Sequence, residues 1–133
     1  MMPAIDPLGT HLLADLHGCR GLDDPQAIEA AMRAAVVAAG ATLLDIRLHH
    51  FGGHMGVTGV ALLAESHMSI HTWPEHDYAA VDIFLCSAAQ NARAALGVIV
   101  AALAATRCVE QAIARGCGPP SPAATIGPAG NLA

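Results

Sequence analysis

The chain has 133 residues, a formal charge of −5 and a 54 % hydrophobic composition, with aromatics at only 3 % of all residues. That length suits one domain with a single core, built from Leu, Val, Ile and Ala without disulfide support. Its six Lys and Arg are scattered, which argues against nucleic acid, whose phosphates need clustered basic side chains; a small cationic ligand matches the charge better.

The opening run MMPAIDPLGT has no basic region and no long apolar stretch, so no targeting segment is expected. The most apolar stretch, 94–105, is about 12 residues and too short to span a bilayer. The four cysteines, Cys19, Cys86, Cys108 and Cys117, contain no C-x-x-C pair, which argues against a zinc knuckle or thioredoxin-type site. Free thiols in a reducing cytoplasm are the expectation.

In chain order, residues 1–9 read as a loose leader and 11–19 as a short strand. Asp24 and Pro25 start a helix as N-cap and first helical residue. Ile28, Ala31, Met32, Ala35, Val36 and Ala39 follow at helical spacing, and Gly40 ends it. Residues 41–51 read as a strand, with Leu44, Ile46 and Leu48 alternating against Asp45, Arg47 and His49. Three more strands follow across tight turns, at 57–64, 67–73 (stopped by Pro74) and 78–86. A second helix is expected over 91–107. The Pro- and Gly-rich tail 116–133 is expected to be disordered. Short links make neighbouring strands antiparallel. The expected fold is therefore a two-layer α/β sandwich, a mainly antiparallel sheet with helices on one face. The bare face calls for a partner, so a homodimer is expected.

The chemistry concentrates in ESHMSIHTWPEHDYAAVDIFLC, residues 65–86, where a hydroxyl, imidazoles, carboxylates and a thiol stand on rigid strands. The runs AESHMSIHTWPE and YAAVDIFLC, with HLLADLHGC and LHHFGGHMGVTGV upstream, resemble the prokaryotic S-adenosylmethionine decarboxylase proenzymes over roughly residues 11–107. The resemblance implies one decarboxylase domain at 10–115, self-cleaved between Glu65 and Ser66 into pieces 1–65 and 66–133. The Ser66 hydroxyl would attack the Glu65 carbonyl, and Ser66 would end as a pyruvoyl cofactor. That ketone would form a Schiff base with the substrate's amine and accept electrons as CO2 leaves. His71 matches the family's base in processing, and Thr58 its assisting hydroxyl, where Ser is the common residue. Cys86 matches the proton donor in turnover. Glu75 resembles a carboxylate that contacts the substrate's ribose, and Phe51 an aromatic surface for adenine.

Each assignment has an ordinary alternative. Ser66 and His71 would be unremarkable strand residues outside this motif, and a lone Cys86 would be core filler. Glu75 is equally a solvated turn residue, core is the default for Phe51, and the role of Asp15 stays open. His49, His50, His54, His67, His71 and His76 crowd one region, but adjacent strand residues face opposite sides and no H-E-x-x-H occurs, so no metal is expected. The expected partner is a small-molecule substrate, with no nucleic acid and no membrane. Two other functions remain open: a pyruvoyl-dependent arginine or ornithine decarboxylase on the same scaffold, and a non-catalytic ligand- or metal-binding domain.

Overall fold

The elements run β1 (Gly9–His17), α1 (Pro25–Ala39), β2 (Leu43–His50), β3 (Val57–Leu63), β4 (Ser66–Trp73), β5 (Tyr78–Leu85), α2 (Ala92–Ala102) and β6 (Arg107–Arg115). This is a computed structural model that describes residues 7–116. The strands form one sheet in the order β2-β3-β4-β5-β1-β6, and every neighbouring pair is antiparallel. Both helices lie on the same face, giving the two-layer sandwich that the alternation of strand residues implies. The expected disordered tail and most of the leader fall outside the described residues.

Helix α1 forms where its signals place it. The Asp24 side chain accepts a hydrogen bond from the Ala27 amide, Pro25 opens the helix, and Gly40 closes it at φ 72, a left-handed conformation that suits glycine. Its buried stripe of Ile28, Met32, Ala35, Val36 and Ala39 meets Leu12, Leu16, Met68, Ile70 and Ile83 from the sheet, and Leu96 and Ile99 from α2. Ile28, Met32 and Ile83 are fully buried, each worth about 1.5–3 kcal/mol over exposure. Thr72 is a buried polar member of this layer. Its hydroxyl donates to the Leu22 carbonyl at 2.7 Å and accepts from the Val57 amide at 2.8 Å. Gly56 lets the turn before β3 pass this point, since a Cβ there would sit 1.9 Å from the Thr72 carbonyl oxygen.

The chain after residue 102 departs from expectation. Helix α2 ends at Ala102 rather than near Arg107, and Arg107–Arg115 pairs with β1 as a sixth strand. The turn is made by Ala104 at φ 53, so no glycine marks the stop. Every residue of β6 is exposed, so burial imposes no alternation on its sequence.

The face without helices is unusually apolar for an exposed sheet. Leu13, Val60, Leu62, Trp73, Val109 and Ile113 are each at least 37 % exposed on it, where a solvated antiparallel face would alternate to polar residues.

Candidate active site

The β3–β4 hairpin reverses through Ala64 and Glu65, with Leu63 opposite Ser66. Two-residue hairpins of this kind require positive φ, normally supplied by Gly or Asn. Here Glu65 takes φ 61, a conformation that costs a residue with a Cβ about 1–2 kcal/mol. The strain therefore sits on the residue whose carbonyl precedes Ser66. That carbonyl accepts a hydrogen bond from the Cys86 thiol at 2.7 Å, because β5 ends beside the hairpin. Ser66 opens β4 and is 8 % exposed. Its buried Oγ has no hydrogen-bond partner among the described residues, an uncommon state for a buried hydroxyl. Glu65, Ser66, His67, Phe84 and His11 border a cavity of about 620 Å³.

The remaining candidates gather elsewhere. His71 stands directly opposite Thr58, and the His71 Nδ1 and Thr58 Oγ1 lie 3.3 Å apart in hydrogen-bond contact. Phe51, Thr58, His71, Trp73 and Glu75 line a second cavity of about 360 Å³. Phe51 is 53 % exposed, so the default reading of it as core is wrong; the Gly52-Gly53 turn lifts it off the sheet. Glu75 is an exposed turn residue that also faces this cavity.

Two clusters thus lie at opposite ends of one strand. Ser66 follows the buried alternation of Met68 and Ile70, whereas His71 and Trp73 are exposed in line with the part-buried His67 and Ser69. Five residues of strand separate them by about 16 Å, and an odd offset puts their side chains on opposite faces.

A third group was not legible as a unit. The Asp82 carboxylate on β5 lies between His11 of β1 and His67 of β4, whose Nε2 atoms stand 2.8 and 3.2 Å from its Oδ2. The Ser69 hydroxyl donates to its other oxygen. Burial pushes this carboxyl upward, but the hydrogen bonds from Ser69, His11 and His67 outweigh it and hold Asp82 below its usual value. Asp15 accepts a hydrogen bond from the Tyr78 hydroxyl at 2.6 Å, and that bond, with burial and the nearby negative charge, pushes Tyr78 up to about 12.

Fold and geometry together define a class, a two-layer α/β sandwich with an unpartnered hydroxyl set beside a strained internal peptide. The family described as S-adenosylmethionine decarboxylase matches residues 10–116. A Thermomicrobium roseum protein named S-adenosylmethionine decarboxylase proenzyme is 49 % identical over 92 residues, covering 69 % of this chain and 79 % of its own. One of the same name from Sulfurihydrogenibium is 41 % identical over 117 residues, covering 86 % and 87 %. The crystal structure of the adenosylmethionine decarboxylase from Aquifex aeolicus superposes with a TM-score of 0.77 at 39 % identity, over 84 % of this chain and 92 % of that one. The chain belongs to the S-adenosylmethionine decarboxylase family.

Proposed function

We propose that this chain is a proenzyme that cleaves itself between Glu65 and Ser66 and then decarboxylates S-adenosylmethionine, producing the aminopropyl donor used in spermidine synthesis. The observation that carries the reading is the buried, unpartnered Ser66 hydroxyl next to a strained peptide whose carbonyl is held by a thiol. The hydroxyl oxygen adds to the Glu65 carbonyl carbon and the peptide becomes an ester. The Cys86 thiol, donating to the carbonyl oxygen, stabilises the charge that develops there. Removal of the Ser66 α-proton expels the Glu65 carboxylate. Hydrolysis of the resulting dehydroalanine releases ammonia and leaves a pyruvoyl end on 66–133.

The orphaned Ser66 hydroxyl fits that cofactor, because conversion removes a buried polar group that has no partner among the described residues. The pyruvoyl group would supply an electrophilic ketone for the substrate's α-amine and a sink for the electrons left by departing CO2. The chain's own residues do the rest. Cys86, beside Ser66, holds the proton to be returned to the substrate's α-carbon. Phe51 and Trp73 offer flat surfaces to adenine, and the Glu75 carboxylate can accept from ribose hydroxyls.

Neither cluster is complete alone, since the base His71 is about 16 Å from its own Ser66. We assign the missing half to a second copy. A two-fold axis through the bare face near the middle of β4 would bring His71, Thr58, Phe51 and Glu75 of each copy to the mouth of the other's cavity, where Ser66 and Glu65 meet His11, His67 and Phe84 of that face. The same packing would cover the exposed Leu13, Val60, Leu62, Val109 and Ile113. Among the described residues no helix is long and apolar enough to cross a membrane, and Cys19, Cys86 and Cys108 are free thiols, which supports the cytoplasm as the compartment.

The test is CO2 release from carboxyl-labelled S-adenosylmethionine, arginine and ornithine by the matured protein. Release from S-adenosylmethionine alone is expected. Release from arginine or ornithine instead would keep the cofactor and replace the substrate, and release from none would leave a binding domain.

A further inference from the structure

We infer that His11, His67 and Asp82 form a binding site for a divalent transition-metal ion of the zinc or cobalt kind, on the bare sheet face next to the cleavage hairpin. The three residues come from three adjacent strands, β1, β4 and β5. One nitrogen from each imidazole and one carboxylate oxygen all lie within 4.8 Å of one another. Tetrahedral zinc with bonds of about 2.0–2.2 Å sets its ligands about 3.3 Å apart. The observed contacts of 2.8 and 3.2 Å to Asp82 Oδ2 are near that spacing, so small side-chain movements admit an ion.

The donor set is the borderline one that suits zinc and cobalt rather than magnesium or calcium, which prefer oxygen alone. The outer contacts are also present. Ser69 donates to the carboxylate's second oxygen, and Phe84 stacks on His67 at 5.8 Å and meets His11 edge-on at 5.4 Å. Such contacts fix the orientation of ligating side chains. Three protein ligands would leave a fourth position open, and two of them, His11 and His67, also line the Ser66 cavity.

Arg115 opposes the ion. Its guanidinium stands 3.4 Å from His11 Nδ1, and as a donor it favours the tautomer that keeps the proton on Nε2. Binding requires that proton to leave Nε2 and Arg115 to give up this contact and its place over the Phe84 ring. Removing Arg115 should therefore tighten the site.

The experiment titrates cobalt(II) into the whole native protein and reads the ligand-field absorption and the stoichiometry. One ion per protomer is expected, with visible bands and no thiolate-to-cobalt charge transfer. Asp82→Asn and His67→Phe should weaken binding more than 10-fold, Ser69→Ala by about 10-fold, and Arg115→Gln should strengthen it. Circular dichroism of the metal-free variants checks folding, and His67→Phe, which keeps an aromatic ring on Phe84, decides if Asp82→Asn does not fold. Thiolate charge transfer, binding unchanged in a folded His67→Phe, or no binding at millimolar cobalt would each overturn the inference.

Discussion

Ser66 and His71 share strand β4 yet stand at opposite ends of it, the first 8 % exposed at the cleavage hairpin and the second open beside Thr58. If both act in processing, they act between subunits. Mixed assemblies of Ser66→Ala and His71→Ala test this. The first keeps an imidazole but no nucleophile, and the second the reverse. Each alone should stay uncleaved, the His71→Ala chain stalling as a hydroxylamine-sensitive ester. Co-expressed, the His71→Ala chain should be cleaved by its neighbour's imidazole. An intact His71→Ala chain in purified mixed dimers would contradict the shared site.

Cys86 separates making the cofactor from using it. Its thiol already donates a hydrogen bond to the Glu65 carbonyl, so it carries a proton to give. Removing a positioned acid costs about 10²–10⁴-fold in turnover. Cys86→Ala should still mature, more slowly for want of the bond to the Glu65 carbonyl, and then lose most CO2 release. Cys86→Ser should mature faster than the alanine variant, because a hydroxyl still donates, yet turn over poorly because it is a weaker acid. Parental rates in both would make Cys86 packing.

Much of the fold was legible because local signals agreed with it. Asp24, Pro25 and Gly40 bound α1 as their chemistry dictates, and alternation in ESHMSIHTW and YAAVDIFLC marked β4 and β5. Strand β6 was not legible. An exposed edge strand has no buried face to impose a pattern, and Glu110, Gln111 and the alanines around them are good helix formers. The motif marked Ser66, His71 and Cys86 but not their separation, although an odd offset within one strand implies it once Ser66 is placed inside β4. The Asp82 group was hidden because its partners come from 71 and 15 residues away.

Tyr78 reports on the bare face through its bond to Asp15. It is the chain's only tyrosine, so phenolate absorbance follows it alone. Its native value is pushed up to about 12, above an unfolded value of about 10. The stability this bond contributes is fully present below pH 10 and is lost as pH rises through 12. Asp15→Asn should move the phenolate midpoint downward and flatten that loss. A native midpoint near 10 would show that the bond is absent.

Thr72 is a purely structural prediction. Thr72→Val keeps the shape but strands the Val57 amide and the Leu22 carbonyl, at about 1–3 kcal/mol each for a buried group. The denaturant midpoint should fall without a change in slope, while cleavage proceeds in the folded fraction. An unchanged midpoint would mean that water reaches both groups.

The most direct measurement is the intact mass of the purified chain. The reading of Ser66 as cofactor precursor predicts two pieces, 1–65 and 66–133, whose masses sum to the precursor plus one water minus one ammonia, with the second piece ending in a ketone that resists Edman degradation. Ser66→Ala should give one mass, that of the uncut chain. A single uncut wild-type mass, or a 66–133 piece that begins with an ordinary serine amine, would contradict it.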